Sequence, residues 1–278
     1  IRRQRQMCIR DRSFIPRKSS DIVDSIQQIV SLAQAKGYTA RTMQVLAPMY
    51  KGRAGINQLN QMLQGLLNPP AANKEEYHYF DQIFREGDKV LQLVNNSEDQ
   101  VYNGDIGEIV EIVPKTMTES KDYEIIVDFD GLSLTYKGTD LNQLTLAYCM
   151  SIHKSQGSEY PLVILPMVRE YYRMLRRDIL YTAVTRAQSS LILLGDPAAY
   201  DQAVSQANRI RSTFLKDLLK VAFEEEAKNN SEEARDDQET WAPVSLDVKD
   251  HENEALVKEE DELYQQTKYI LTLDNYLS

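Results

Sequence analysis

The sequence predicts an α/β fold: a doubly wound parallel sheet interrupted by a small β-barrel. Three observations predict it. Short apolar runs at 44–47, 162–167 and 191–194 alternate with stretches of helical period, the rhythm of strand–helix units that build parallel sheets. Between them lie four short strand-like segments separated by tight-turn dipeptides, the pattern of a small antiparallel barrel. The composition of the 278 residues, 42% apolar and 27% charged, is ordinary for about two folded units.

The chain opens on Ile1 rather than Met, which reads as a fragment. Residues 1–12 hold five arginines without helical or strand period. The run Met7–Arg12 looks like translated sequencing-adapter read-through, and the segment is set apart from the fold. An arginine-rich nucleic-acid arm is the alternative. The first α/β stretch is 13–84. A helix begins near Asp21, with Ile22, Ile26, Ile29, Val30 and Ala33 on one face and Gly37 as its stop. Gln44–Ala47 reads as a strand closed by Pro48. The loop Met49–Gly55 leads to a helix bearing Ile56, Leu59, Leu63 and Leu66, ended at Pro69-Pro70.

The barrel is expected over 85–140. Its strands are Lys89–Val94, Ile106–Val113, Tyr123–Phe129 and Leu132–Tyr136, with turns at Asn103-Gly104 and Asp130-Gly131. Lys89, Tyr102 and Tyr136 offer charge and stacking faces toward a single strand; a purely structural barrel is the plainer reading. The α/β rhythm returns over 141–222. Leu144–Met150 reads as one strand, Ser151–Gly157 as a polar loop and Leu162–Met167 as a buried strand. Tyr171–Ala187 reads as a helix and Leu191–Leu194 as a second buried strand, with helices at 197–206 and 213–223.

The net charge of −10 argues against nucleic acid only until it is mapped. Residues 223–262 carry 16 acidic and 4 basic groups, and the body outside 223–278 carries 27 basic and 25 acidic ones. The acidity belongs to a tail, 223–278, with too little apolar content to order itself; 263–277 reads as a short docking segment. The nearly neutral body leaves room for a basic groove. No apolar stretch approaches the roughly 20 residues of a membrane span, and Cys8 and Cys149 make no disulfide scaffold. The chain reads as cytoplasmic, with no membrane partner.

Two segments carry chemistry. Ser151-Ile152-His153-Lys154-Ser155-Gln156-Gly157-Ser158-Glu159 has seven polar or charged residues of nine directly after a strand. Its hydroxyls, imidazole and ammonium suit a phosphate backbone, and a helix N-terminus after it would add free amides. A solvated loop is the bland alternative. In Tyr181–Ala187, Arg186 precedes a buried strand, where an arginine stabilises charge on a transferring phosphoryl group or sits in a partly buried ion pair. Lys51 and Arg53 between glycines give a weak phosphate-loop pattern. No Gly-Lys dipeptide occurs, so there is no Walker A loop, and no His, Cys or carboxylate cluster has metal-ligand spacing.

Ser151–Glu159 resembles motif V of superfamily-one DNA helicases, and Tyr181–Ala187 resembles their motif VI. Val45–Gly52, with Leu59-Asn60 and Leu67-Asn68-Pro69, is similar to the motif IV region of RecD-like helicases. Gly87–Val90 and Val101–Gly107 are similar to the barrel inserted in their second motor domain. The resemblance runs from about Ser13 to Leu219 and is nearest to RecD-like helicases that act without the other two RecBCD subunits. It implies a bacterial 5′-to-3′ helicase of DNA recombination and repair, and the second RecA-like motor domain with an SH3-like barrel. ATP and Mg²⁺ would be bound only together with a first RecA-like motor domain, the implied partner beside single-stranded DNA. By resemblance Arg186 is the arginine finger. Gln156, Gly157, Glu159 and Lys51 lie on the nucleotide side, and Ser151, His153, Lys154, Ser155 and the barrel's Asn103 on the DNA side. Where the family has proline after the Lys-Gly of motif IV, Arg53 stands here. Two other readings remain: a stand-alone single-strand-binding module without ATPase, and a protein-interaction domain whose acidic tail recruits partners.

Overall fold

The computed structural model of the chain describes residues 11–118 and 121–206, together with 219, 220 and 223. Its main sheet runs in the order β1-β12-β11-β2-β10, every neighbouring pair parallel. The strands are β1 (Asp11–Pro16), β2 (Met43–Ala47), β10 (Cys149–Ser151), β11 (Tyr160–Met167) and β12 (Ala187–Gly195). β11 lies at the centre, and its apolar run is covered on both faces, as parallel strands require. Helices α1 (Ile22–Ala35) and α2 (Ile56–Leu67) pack together, as do α3 (Arg177–Val184) and α4 (Pro197–Ser205); α1 and α4 both reach β11. The buried residues of α1, Ile22, Ile26, Val30 and Ala33, follow the three-and-four spacing of its sequence.

The second sheet is antiparallel, in the order β8-β7-β6-β5-β9: β5 (Lys89–Gln92), β6 (Ile106–Val113), β7 (Glu124–Phe129), β8 (Leu132–Lys137) and β9 (Leu144–Leu146). Gly107 in β6 is required by closeness alone, since a Cβ there would stand 2.5 Å from Cγ1 of Val127.

Several expectations are corrected. The run Leu144–Met150 is two strands: Leu144–Leu146 pairs with β5, and Cys149–Ser151 pairs with β2. The strands of the antiparallel sheet thus extend from Lys89 to Leu146, where the barrel was expected over 85–140. A continuous apolar run holds no breaker to mark where the chain changes sheets. Asp11 and Arg12, inside the segment set apart at 1–12, belong to β1 and pair with β12. The helix expected over Tyr171–Ala187 is shorter, and Ala187 already starts β12. Asn103 and Gly104 do form a turn, with Asp105 N donating to Tyr102 O. That turn follows a bridged excursion, Asn96 to Val101, and does not join the strands directly. A further hairpin, β3 (Glu76–Tyr79) and β4 (Gln82–Arg85), turns at Phe80-Asp81 without a glycine or asparagine signal. Of the helix expected at 213–223 only 219, 220 and 223 are described, each helical; the acidic tail 224–278 lies outside the described residues. Among the described residues no helix is long and apolar enough to cross a membrane.

Both passages between the sheets are pinned by α2 and its C-terminal cap. Asn60 donates to the carbonyls of Leu146 and Cys149 and accepts from Cys149 N, 2.7 Å away. Four and eight residues on, Gln64 and Asn68 donate to the Asp88 carboxylate. Asp88 also accepts from Tyr148 Oη at 2.8 Å and Arg85 N at 2.7 Å, and has no exposed surface. Burial raises its pKa above the usual carboxylate range, and the four donors oppose that shift. Replacing Asp88 by Asn turns an amide NH₂ toward these donors. Asp88→Asn is expected to cost on the order of 3 kcal/mol, the scale of charged buried hydrogen bonds. Urea unfolding at neutral pH measures it; a loss within about 0.5 kcal/mol, the scatter of neutral surface changes, would remove the network from this role.

Candidate nucleotide and nucleic-acid interface

Because β10 and β11 are parallel, residues 152–159 must return from one edge of the sheet to the other. The loop does so as a series of turns with no helix, so the helix N-terminus considered for phosphate is not formed. Ser155 N donates to Ser151 O, and Ser155 Oγ donates to Ile152 O at 2.7 Å. Ser155 is completely buried, which corrects its expected contact with DNA: its hydroxyl shapes the loop. Ser151 is also buried, and its Oγ accepts from Lys154 N. His153, Gln156, Gly157 and Glu159 face solvent. Gly157 has φ of +92°, a conformation other residues adopt at a cost. Lys154 Nζ donates to Asn103 Oδ1, so the strand-loop lysine and the barrel-turn asparagine meet.

Arg186 lies in the two-residue turn between α3 and β12. Its Nε donates to Thr182 O at 3.1 Å, Nη1 to Ser158 O at 3.0 Å and Nη2 to Thr185 Oγ1 at 3.1 Å. These three acceptors are neutral, so they fix the plane of the guanidinium without cancelling its charge. Its carbonyl accepts from Tyr160 N. Beside it Glu159 accepts from Gln188 Nε2. Ser158, Thr182 and Gln188 are thus neighbours of Arg186 that sequence reasoning missed; Ser158 and Thr182 stood inside the recognised segments, but nothing in the pattern gave them a partner.

Lys51 does not join this group. It follows the C-terminal end of β2, whereas Arg186 precedes the N-terminal end of β12. The strands are parallel, so the two residues sit at opposite edges of the sheet. The loop at 48–55 is also closed on itself: Ile56 N donates to Met49 O and Asn57 N to Tyr50 O. A Cβ on Gly55 would stand 2.6 Å from Tyr50 O. Tyr171, just after β11, donates its hydroxyl to Ala54 O. Lys51 and Arg186 therefore do not grip one phosphate in this arrangement. Among the described residues no group of three or more His, Cys, Asp or Glu side chains is placed to hold a metal ion.

Of the three barrel side chains expected to face a strand of nucleic acid, two are interior. Tyr136 is 4% exposed and donates to Gln92 Oε1. Lys89 is buried under the barrel, donating to Ala40 O at 2.8 Å and Gln44 Oε1 at 2.7 Å, with the Tyr160 ring 5.3 Å from its Nζ. Burial, with Arg41 nearby, lowers Lys89 to about 7. Only Tyr102 is exposed, beside Asn103.

Comparison with known proteins adds two family matches. Residues 59–129 match the SH3 domain of ATP-dependent RecD-like DNA helicases, and residues 146–194 match the UvrD-like helicase C-terminal domain. The chain is 32% identical over 179 residues to the ATP-dependent RecD2 DNA helicase of Deinococcus radiodurans, covering 64% of this chain and 24% of that protein. It is 28% identical over 172 residues to the RecBCD enzyme subunit RecD of Mycolicibacterium smegmatis, covering 62% of this chain and 28% of that one. The chain thus spans about a quarter of the length of these relatives. Among solved structures, Pif1 helicase from Bacteroides in complex with ADP-AlF3 and ssDNA is 18% identical with a TM-score of 0.38, covering 66% of this chain and 46% of that one.

The buried lysine gives a pH test of the barrel's seat. Its folded value lies below the ordinary 10.5, so between about pH 7 and pH 10 the unfolded chain binds the proton more tightly. Stability from this group is then gained as pH rises through that window and lost as pH falls through it. Denaturant unfolding of wild type and Lys89→Met across the window reads the difference. Wild type is expected to gain on the variant with rising pH; a constant difference would mean that Lys89 is charged and solvated.

Proposed function

We propose that the chain, whose matches are to RecD-like and UvrD-like helicases, is the second, RecA-like motor domain of a RecD-like DNA helicase. In this reading it closes on ATP held by a first motor domain and grips single-stranded DNA for 5′-to-3′ unwinding. One observation carries it: the loop 152–159 is tied to Arg186 near one end, through Ser158 O, and to the barrel through Lys154 and Asn103. A single short segment thus joins a guanidinium suited to a phosphoryl group with an ammonium suited to a phosphate backbone.

The sequence holds no Gly-Lys dipeptide, so the triphosphate and Mg²⁺ belong to the first motor domain, where a P-loop cradles them. On closure Arg186 donates to the γ-phosphate oxygens and stabilises the charge that develops there. Its three neutral acceptors hold it preorganised. Glu159, Gln156 and Gly157 line the same end of the loop at the nucleotide side. Movement of Arg186 pulls on Ser158 and, through the loop, on Lys154. Lys154, with His153 beside it, holds the DNA backbone; Asn103 takes Lys154 when no phosphate is there. Hydrolysis is in this way converted into a change of grip on the strand.

Two measurements test the reading. The 278-residue chain by itself is expected to show no DNA-stimulated ATP hydrolysis above background; hydrolysis abolished by Arg186→Ala would overturn the division of labour. Single-strand binding, followed by fluorescence anisotropy over a range of salt, is expected to weaken in Lys154→Ala, with the salt slope flattened by about 0.7 for the loss of one phosphate contact. An unchanged slope would place Lys154 away from the strand.

A further inference from the structure

A cavity of about 440 Å³ lies where α2, β4 and β9 meet, within the size range of small-molecule pockets. Two hydrogen bonds hold its walls together. Gln64 Nε2 donates to Ile83 O at 2.7 Å, and Thr145 Oγ1 to Gln82 Oε1 at 3.3 Å. The helix wall carries Asn57, Gln61 and Gly65, spaced by four and so on one face of α2. A Cβ on Gly65 would meet nothing within 4 Å, so that end of the cavity is open space. Ile83 and Leu146 supply apolar surface on the other walls.

The polar groups decide what the cavity can receive. Asn57 and Gln61 are exposed, and among the described residues their side chains have no hydrogen-bond partner. Each offers one carbonyl oxygen and two N–H donors. Gln82 is engaged through its oxygen, which leaves its N–H donors to a ligand. Asp81 also lines the cavity, is exposed, and has no side-chain partner among the described residues. The cation in the lining, Arg85, is taken up by Glu76 and the carbonyl of Asn68. A phosphate therefore finds no free positive charge here, and Asp81 repels it. These groups complement a planar, uncharged ring with apolar faces and an edge of donors and acceptors. Amide side chains pair bidentately with adenine, and a carboxylate accepts from an exocyclic amino group. We propose that this cavity binds an unpaired nucleobase that carries an exocyclic amino group, with any phosphate left outside. The cavity shares no residue with the Arg186 and Lys154 groups, and only a base belonging to a bound single strand would rest on the function proposed above.

The test is an NMR titration of the full chain with cytidine, adenosine, thymidine and ribose. Cytidine and adenosine are expected to shift residues 57–65, 81–83 and 145–146. Thymidine is expected to bind about tenfold more weakly for want of an amino group, and ribose to move nothing. Gln61→Ala is expected to weaken every nucleoside about fivefold, the loss of one hydrogen bond. Alanine is the better helix former, so this variant is expected to melt at or above the wild-type temperature, which separates lost binding from lost folding. Asp81→Ala is expected to erase the preference over thymidine, a change that a purely structural carboxylate would not produce. Oligo-dC then identifies the source of the base. Shifts at the same residues assign it to a strand, and their absence assigns the cavity to a free nucleoside; both uphold the proposal. No nucleoside binding, equal binding of thymidine or ribose, nucleoside shifts elsewhere, or unchanged affinity in Gln61→Ala would overturn it. Nucleoside binding is read apart from the salt slope of Lys154, so the failure of either leaves the other standing.

Discussion

A stripe of amides at positions 60, 64 and 68, on α2 and its C-terminal cap, sets the relation between the two sheets. The chain leaves the parallel sheet for the barrel near Asp88 and returns near Leu146. Gln64 and Asn68 hold the exit through the Asp88 carboxylate, and Asn60 holds the return through Leu146 and Cys149. Spacing by four keeps these side chains on one helix face. Both ends of the insertion are therefore tied to one rigid rod. Apolar packing alone is non-directional; hydrogen bonds with fixed donors and acceptors set an orientation. That orientation brings Asn103 of the barrel turn to Lys154 of the loop after β10.

The loop after β10 inherits its shape from two buried groups. Ile152 and Ser155 are inside, and Ser155 closes a bond back to Ile152 O. Between and beyond them the exposed residues point outward in sequence order: His153, then Gln156 and Gly157, then Glu159. The far end of the loop lies beyond these two buried groups. Ser158 is at that far end, bonded to Arg186. One segment of backbone thus connects the contacts of the two charges.

Much of this was legible in the sequence and some was not, for identifiable reasons. The runs Leu162–Met167 and Leu191–Leu194 read as buried parallel strands because nothing polar interrupts them, and the α1 and α2 faces were visible as spacing. Arg186 and Lys154 were singled out as candidates by the segments around them. Their partners were not, because Ser158 O, Thr182 O and Asn103 Oδ1 are brought near only by the folded chain. Burial of Ser155 was hidden because a serine among polar residues has the same pattern whether it faces in or out. Lys89 and Tyr136 were misplaced for the related reason that a strand's two faces differ by one position of register. Lys51 failed on topology: glycine and lysine after a strand look alike at either edge of a sheet. The hairpin at Phe80 was missed because its turn uses a residue that turn chemistry disfavours.

Two charges in this molecule are held by neutral dipoles, and the difference between them separates structure from site. Asp88 has four donors and no exposed surface, so nothing further can reach it and its role ends with folding. Arg186 has three neutral acceptors and is only half-buried at a sheet edge. Its acceptors fix the direction of the guanidinium and carry no charge themselves. A carboxylate in place of Thr182 O or Ser158 O would satisfy the arginine more fully and would compete with any phosphate arriving there. Holding the cation by two backbone carbonyls and one hydroxyl keeps it ordered through partners that carry no charge. That is the electrostatic condition that the role proposed for Arg186 requires.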